Sequence, residues 1–212
     1  MNLLAHVLLA WATLPDTEGQ ECTGALMADY FPGQDLAVFP PGIRRGILQH
    51  RAVDAFTDAH PAFVELRRSI AAAGAPRFTA GILLDVFWDH ALASEWERWG
   101  RQLCGMDLEP FCGEAYARVG RAAEYHNPGF ASIFRFLESG AWLSAYARLD
   151  GIGETLAMLS EKMSGRPDLG SCVRLLVELD RPVRSGFAAF WPELLAFARA
   201  WNDDAPVEAL RS

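Results

Sequence analysis

The chain is poor in lysine and has no long apolar run. Lysine occurs once, at Lys162, so arginine supplies nearly all of the 19 basic side chains, which stand against 27 acidic ones. The formal net charge of −8 argues against a general binding surface for nucleic acid or for an anionic membrane, because both need a positive field. Local arginine clusters can still bind an anion, since the guanidinium group pairs bidentately with phosphate and carboxylate.

Cysteine is also scarce and widely spaced. The four cysteines, at positions 22, 104, 112 and 172, form no CxxC pair, which excludes the usual zinc and thioredoxin-like motifs. We expect them to be reduced and mostly buried. The apolar opening, residues 1–11, lacks a basic start, contains a histidine and is too short to span a bilayer. We therefore expect a soluble cytoplasmic protein without a secretory signal.

The pattern that is present is helical. Apolar residues recur with the helical period, and the strict alternation typical of strands is nearly absent. With 51% hydrophobic and 22% charged residues, the composition is that of a globular protein, and we predict one all-α domain over 1–212, a helical bundle. The predicted helices are 2–13, 21–31, 41–58, 61–73, 78–99, 108–124, 128–138, 152–163 and 171–200, the last broken at Pro182 and Pro192.

Side chains that bind divalent metals concentrate in the first ninety residues. They are His6, Asp29, His50, Asp54, Asp58, Asp85, Asp89 and His90. Residues four apart on a helix lie one turn above each other, so Asp85 and Asp89 are close neighbours on a segment rich in apolar residues. Two buried carboxylates at that distance resist joint ionisation. A divalent cation between them, or Arg51 from another helix, would remove this cost.

Each of these residues also has a purely structural interpretation. His6 can be a core histidine, and Asp54 and Asp58 can pair with Arg51 and Arg45 on a solvated helix face. Other chemistry is not indicated, because the GxSxG, HExxH, P-loop and EF-hand patterns are all absent. Only convergence of several helices would turn the set into a site.

Four segments resemble known motifs. Residues 1–6, 24–30, 50–58 and 84–90 are similar to the conserved segments of the acyl carrier protein phosphodiesterase family, and the likeness is most specific up to about residue 95. The resemblance implies an all-α fold distantly related to the HD-domain metal-dependent phosphohydrolases. It also implies hydrolysis of the phosphodiester bond that joins 4′-phosphopantetheine to a serine of holo-acyl carrier protein. Mn²⁺ is the implied metal, with Mg²⁺ or another divalent ion as the alternative.

The resemblance also implies roles for individual residues. Asp29 matches the aspartate that the family needs for activity, and it is also a candidate metal ligand. The other ligands carried over are His6, His50, Asp85, Asp89 and His90. In the mechanism that follows as a hypothesis, Asp54 or Asp58 orients a ligand histidine and Arg51 binds a phosphate oxygen. Two departures stand out: the pair 89–90 reverses the HD order, and residues 15–21 read as an insertion.

The implied partner is a carrier protein, which is acidic like this chain. Docking would then depend on a local basic patch, for which the candidates are Arg44 with Arg45 and Arg67 with Arg68. We predict no nucleic-acid or membrane partner, and the sequence predicts no oligomeric state. Three alternatives remain: a metal phosphohydrolase acting on a small nucleotide or another phosphodiester, a module that binds carrier protein without turnover, and a structural helical protein.

Overall fold

Helices form all the regular structure in the residues that the computed structural model describes, which are 3–15, 18–33, 35–163 and 165–201. The prediction of an all-α protein is therefore confirmed, whereas the single domain predicted over 1–212 includes residues outside these ranges. The α-helices are α1 Leu3–Thr13, α2 Gln20–Met27, α3 Pro41–Ala59, α4 Pro61–Ala72, α5 Ala80–Ser94, α6 Trp96–Trp99, α7 Arg101–Cys104, α8 Leu108–Arg121, α9 Pro128–Ser139, α10 Trp142–Ala145, α11 Leu149–Lys162, α12 Val173–Glu178 and α13 Asp180–Ala200. Short 3₁₀ helices span Ala28–Tyr30, Leu36–Val38, Ala123–Tyr125 and Gly170–Cys172.

The predicted helices differ from the observed ones mainly in their interruptions. The segment predicted at 78–99 is divided at Glu95 into α5 and α6, and α10 was not predicted. The long final helix does break, but at Leu179, so that Pro182 lies in the first turn of α13, where a missing donor costs little. The break predicted at Pro192 is wrong: this proline lies inside α13, between buried aromatic and apolar side chains that hold the helix in place.

Helix α1 lies at the centre of the protein. Seven consecutive residues, Leu4 to Ala10, are buried, and α1 contacts α2, α3, α5, α7 and α13. Because the helix is enclosed on all sides, the one histidine in this run is buried with it. The apolar composition of α1 is explained by this central position.

Helices α2 and α3 pack backbone against backbone. A Cβ atom on Gly24 would overlap the carbonyl oxygen of Ile43, and one on Gly46 would overlap the carbonyl oxygen of Glu21. Only glycine allows so close an approach. The consequence for the site is direct, because the end of α2 is held against the middle of α3.

The junction of α3 and α4 follows the sequence prediction. His60 ends α3, and its Nδ1 atom accepts a hydrogen bond of 3.2 Å from the backbone N–H of Ala62, while Pro61 occupies the first position of α4. A side-chain acceptor at the cap and a proline at the next position are both favourable at a helix start. The described helices include none that is long and apolar enough to cross a membrane.

Candidate functional site

Three side chains from two helices meet at one point. His6 comes from α1, and His50 and Asp54 come from successive turns of α3. One ligand atom of each residue lies within 4.8 Å of those of the other two. The Nε2 atom of His6 is 3.0 Å from Oδ1 of Asp54, and the Nε2 atom of His50 is 3.1 Å from Oδ2 of the same carboxylate. We call this group the His–Asp cluster.

The two imidazole rings are stacked and held in fixed orientations. Their centroids are 3.7 Å apart with an angle of 15° between the planes. The Nδ1 atom of His50 lies 2.8 Å from the carbonyl oxygen of Ala25, which can only accept, so Nδ1 carries the proton and donates it. The Nε2 atom of His50 is thereby turned towards the carboxylates, an arrangement typical of ligand histidines.

Asp29 forms the open side of the cluster. It lies in the 3₁₀ turn Ala28–Tyr30 that follows α2, and its Oδ1 atom is 3.4 Å from Nε2 of His50. Its side chain is 72% exposed, whereas Asp54 is 40% and the two histidines are at most 4% exposed. Asp29 is therefore the member of the group that a substrate from solvent meets first.

The segment that carries Asp29 is held from two other elements. An Nη2 hydrogen of Arg51 is donated to the carbonyl oxygen of Phe31 over 2.8 Å, and the side-chain amide of Asn127 donates to the carbonyl oxygen of Tyr30 over 3.1 Å. Arg51 thus fixes the backbone beside Asp29. The role in phosphate binding that the sequence suggested for Arg51 stays a prediction.

Burial and the contacts among these side chains shift their pKa values in different directions. Burial, together with the charge of His50, lowers the pKa of His6 to about 4. Burial also acts to lower the pKa of His50, but its contacts with Asp29 and Asp54 outweigh this and raise the pKa to about 9. Contact with His50 holds the pKa of Asp29 below its usual value. Burial disfavours the charged form of Asp54, yet the two imidazoles hold its pKa far below the usual range.

The cluster has the donor chemistry of a divalent metal site. The Nε2 atom of His6 is buried and faces Oδ1 of Asp54 over 3.0 Å, and Nε2 of His50 faces the other oxygen of the same carboxylate over 3.1 Å. Three potential ligand atoms therefore face one another in a site of low exposure. Two imidazoles with a carboxylate suit Mn²⁺, Fe²⁺ or Zn²⁺ better than they suit Ca²⁺. The residues present therefore fit a bound metal.

Asp89, predicted as a ligand, has different partners in the structure. Its two carboxylate oxygens accept hydrogen bonds from the backbone N–H groups of Leu4, at 2.8 Å, and Ala5, at 3.3 Å. These donors belong to the first turn of α1, where N–H groups have no partner within the helix. Asp89 thus anchors the helix that carries His6, and burial raises its pKa to about 7.

The other two predicted ligands also lie outside the His–Asp cluster. The Nδ1 atom of His90 donates to the carbonyl oxygen of Tyr146 over 2.7 Å, which ties α5 to the region of α10. Asp85 lies one turn before Asp89, and its pKa is raised by burial first and then by the negative charges of Asp54 and Asp58. Asp85 is therefore electrostatically coupled to the cluster without belonging to its group of close ligand atoms. Metal binding by Asp85, Asp89 and His90 stays a prediction.

Sequence reasoning gave Asp54 a supporting role, whereas in the structure its two oxygens lie 3.0 Å and 3.1 Å from the Nε2 atoms of His6 and His50. The spacing of His50 and Asp54, one helical turn apart, was a signal that could have assigned both to one site. The cysteines offer no competing centre: all four are free, and burial raises the pKa of Cys112 to about 12, which keeps it an unreactive thiol.

Comparison with known proteins points to one family. The family model described as acyl carrier protein phosphodiesterase matches residues 1–194. The chain is 30% identical over 199 residues to a protein of Yersinia pestis named acyl carrier protein phosphodiesterase, covering 94% of this chain and 98% of that one. It is 31% identical over 201 residues to a protein of the same name from Salmonella agona, covering 93% and 97%.

No solved structure matches the chain, so the distant relation to HD-domain enzymes stays a prediction. The family match covers the elements α1 to α5, which supply His6, Asp29, His50 and Asp54. The family model matches most of the chain, and the two relatives named above are each aligned over more than nine tenths of it. The chain belongs to the acyl carrier protein phosphodiesterase family.

Proposed function

We propose that the protein hydrolyses the phosphodiester bond between 4′-phosphopantetheine and the serine of holo-acyl carrier protein, releasing apo-carrier protein. The observation that carries this proposal is the His–Asp cluster with Asp29 at its open side, in a chain whose family match runs over residues 1–194. A phosphodiester is an anion that resists attack by water, so its hydrolysis needs positive charge beside it and a group that activates water.

We propose that His6, His50 and Asp54 hold a divalent metal, with Mn²⁺ as the first candidate. Such an ion supplies charge neutralisation for the phosphate and lowers the pKa of water at the site. His50 is prepared for this role because its Nδ1 proton is engaged by the carbonyl oxygen of Ala25. Asp89 contributes at a distance by anchoring the first turn of α1 and hence the position of His6.

Asp29 is the proposed group that orients the attacking water and receives its proton. It is ionised and exposed, and its contact with His50 fixes one of its oxygens. The water oxygen forms a new bond to phosphorus, and the bond from phosphorus to the serine oxygen breaks. The serine oxygen takes up a proton from solvent, which completes the apo-carrier protein and leaves the phosphate on pantetheine.

The proposal is tested by matched aspartate variants on α3 and beside it. Asp29→Asn and Asp54→Asn should each lower the release of 4′-phosphopantetheine by about a hundredfold or more, the scale for loss of an acid–base group or a ligand partner. Asp58→Asn is the control, because Asp58 is exposed one turn after Asp54. Circular dichroism should show the same helix content in all three. Unchanged turnover in Asp29→Asn would remove this residue from the mechanism.

The metal is tested separately. Purified protein is treated with a chelator, dialysed and supplied with Mn²⁺, Mg²⁺ or Zn²⁺, and bound metal is measured along with turnover. We expect His50→Ala to lose the metal, while His90→Ala keeps it, because His90 is engaged by Tyr146. Full turnover in chelator would contradict the metal proposal. Hydrolysis of small nucleotides but not of holo-carrier protein would favour the alternative substrate class.

We also propose a cytoplasmic location. The support is that all four cysteines are free, as expected in a reducing compartment.

A further inference from the structure

A cavity opens beside Asp29 and runs between α9 and α11. Its inner part, of about 180 Å³, is bounded at one end by Asp29 and Leu3. Its outer part, of about 460 Å³, opens to solvent beside Phe136. Both parts are lined by Tyr30, Ile133, Met158 and Lys162, so they adjoin each other along these side chains. We call this cavity the α9–α11 channel.

The walls of the channel are mainly apolar, with polar groups at few places. Ile133 and Phe136 come from α9 and Met158 comes from α11, while the Tyr30 ring packs edge-on against Phe130 with centroids 5.5 Å apart. The charged groups among the lining residues are the Asp29 carboxylate, in the inner part, and the ammonium of Lys162, the one lysine of the chain, in both parts. Hydroxyl groups are supplied by Tyr30, Ser132, Tyr146 and Thr155. Pockets that bind small organic ligands have this character: apolar walls, few polar groups and a volume of several hundred Å³.

The channel starts where the proposed chemistry takes place. A phosphodiester has two ester arms, and in the reaction proposed above one arm is the serine of the carrier protein. The other arm is pantetheine, which stays joined to phosphorus when the serine oxygen leaves. When phosphorus lies beside Asp29, the pantetheine arm leaves it in a direction that neither the serine arm nor the attacking water occupies.

We propose that the α9–α11 channel binds the pantetheine arm of the substrate and thereby selects phosphopantetheinyl esters among phosphodiesters. This inference rests on the proposed function. Pantetheine is a neutral chain with a dimethyl-substituted carbon, two amides and a terminal thiol. Its hydrocarbon parts match the walls formed by Ile133 and Met158, and Lys162 supplies a donor for an amide carbonyl oxygen. A nucleotide fits less well, because its additional phosphates need several cations and the channel has one lysine.

The test uses substitutions that narrow the channel and leave the residues of the His–Asp cluster unchanged. Ile133→Trp and Met158→Trp each place a large ring in the channel, and both positions are only partly buried, which leaves space for the ring. Ser139→Trp is the control, since Ser139 is exposed at the end of α9 and does not line the channel. Circular dichroism and urea unfolding show whether each variant folds like the wild type.

Two quantities are measured for all four proteins. The first is the Kd of free 4′-phosphopantetheine by calorimetry, and the second is kcat/KM for holo-carrier protein. In Ile133→Trp and Met158→Trp, Kd should rise and kcat/KM should fall by about tenfold or more, the scale on which steric changes in apolar pockets discriminate ligands. Ser139→Trp should match the wild type in both.

The outcomes separate this inference from the proposed function. If the wild type releases 4′-phosphopantetheine and both channel variants equal the control, the channel assignment is overturned and the proposed function stands. If 4′-phosphopantetheine binds in a channel-dependent manner but holo-carrier protein is not hydrolysed, the channel assignment stands and the proposed hydrolysis fails. Binding that is weakened equally by all three substitutions would also overturn the channel assignment.

Discussion

The first half of the described molecule, α1 to α5, contains buried histidines and carboxylates, whereas the charged side chains of the second half, α6 to α13, are more exposed. Among the described residues, every buried histidine or carboxylate lies between α1 and α5, namely His6, Glu21, His50, Asp89 and His90. In the second half, several charged side chains pair within a single helix near the surface, as Arg121 does with Glu114 over 3.5 Å and Arg174 with Glu178 over 3.4 Å.

The difference shows how each half is stabilised. A buried charged group is tolerable only with partners, and in the first half these partners come from other helices: Asp89 of α5 binds α1, and His50 of α3 binds α2. Pairs on one exposed helix contribute little to stability and hold no other element in place. Substitutions in the first half should therefore act over long distances, whereas those in the second half should act locally.

The largest expected effect comes from Gly46→Ala. The added methyl group overlaps the carbonyl oxygen of Glu21, so α2 and α3 must separate. We expect the free energy of unfolding to fall by about 3 kcal/mol, as in overpacked cores, and turnover to be lost because Asp29 moves away from His50. Urea unfolding and release of 4′-phosphopantetheine measure the two effects.

Gly113→Ala is the matched control in α8, where a Cβ atom meets nothing within 4 Å. Replacing an unconstrained helical glycine by alanine stabilises a protein by up to about 1 kcal/mol. The same glycine-to-alanine change should thus lower the free energy of unfolding at position 46 and raise it at position 113. Equal stability of the two variants would show that α2 and α3 do not need their close contact.

The second prediction concerns the anchor of α1. Asp89→Ala leaves the N–H groups of Leu4 and Ala5 without their acceptor, which should lower the free energy of unfolding by about 1–3 kcal/mol and reduce turnover through displacement of His6. Thr155→Val is the comparison for stability, because the Thr155 hydroxyl donates to the carbonyl oxygen of Gly151 in its own helix and so joins no second helix among the described residues. An Asp89→Ala protein as stable as Thr155→Val would contradict an anchoring role.

The third prediction is a pH dependence that belongs to the same carboxyl. Burial raises the pKa of Asp89 to about 7 in the folded protein, while the unfolded chain has a value of about 3.9. The folded state therefore binds more protons between these values, so the contribution of this group is complete below about pH 4 and is lost as pH rises through 7. In Asp89→Asn the free energy of unfolding should fall less over this range. Parallel curves for wild type and variant, from urea unfolding at several pH values, would reject the prediction.

The smallest expected effect is that of Glu178→Gln, which breaks the exposed pair with Arg174 in α12. We expect the free energy of unfolding to change by less than about 1 kcal/mol and turnover to stay the same. A large loss of stability would mean that the exposed ion pairs of the second half contribute more to the free energy of unfolding than we infer from their exposure.

Much of the helical architecture was predictable because its signals are local. The apolar period and the proline at 61 located α3 and α4 to within two residues at each end. The errors fell where tertiary packing overrides a local signal. Pro192 is accommodated within α13 because buried neighbours such as Phe190 and Trp191 hold the helix, and Glu95 divides a segment whose composition reads as continuous.

The candidate site was only partly predictable. His50 and Asp54 are one turn apart on a single helix, so their proximity follows from the helical repeat. The addition of His6 depends on the crossing of α1 and α3, and the addition of Asp29 depends on the glycine contact of α2 with α3. No sequence spacing expresses either of these.

Taken by itself, the sequence determined the helical class, the likeness to one family and the set of aspartates and histidines able to bind a metal. The tertiary structure decided which of them meet: it placed His6, His50 and Asp54 together and gave Asp89 to the N-terminus of α1. The reason is physical. Periodicity and capping act within a few residues, whereas a buried polar group is stabilised by whichever partner the packing of distant helices brings to it.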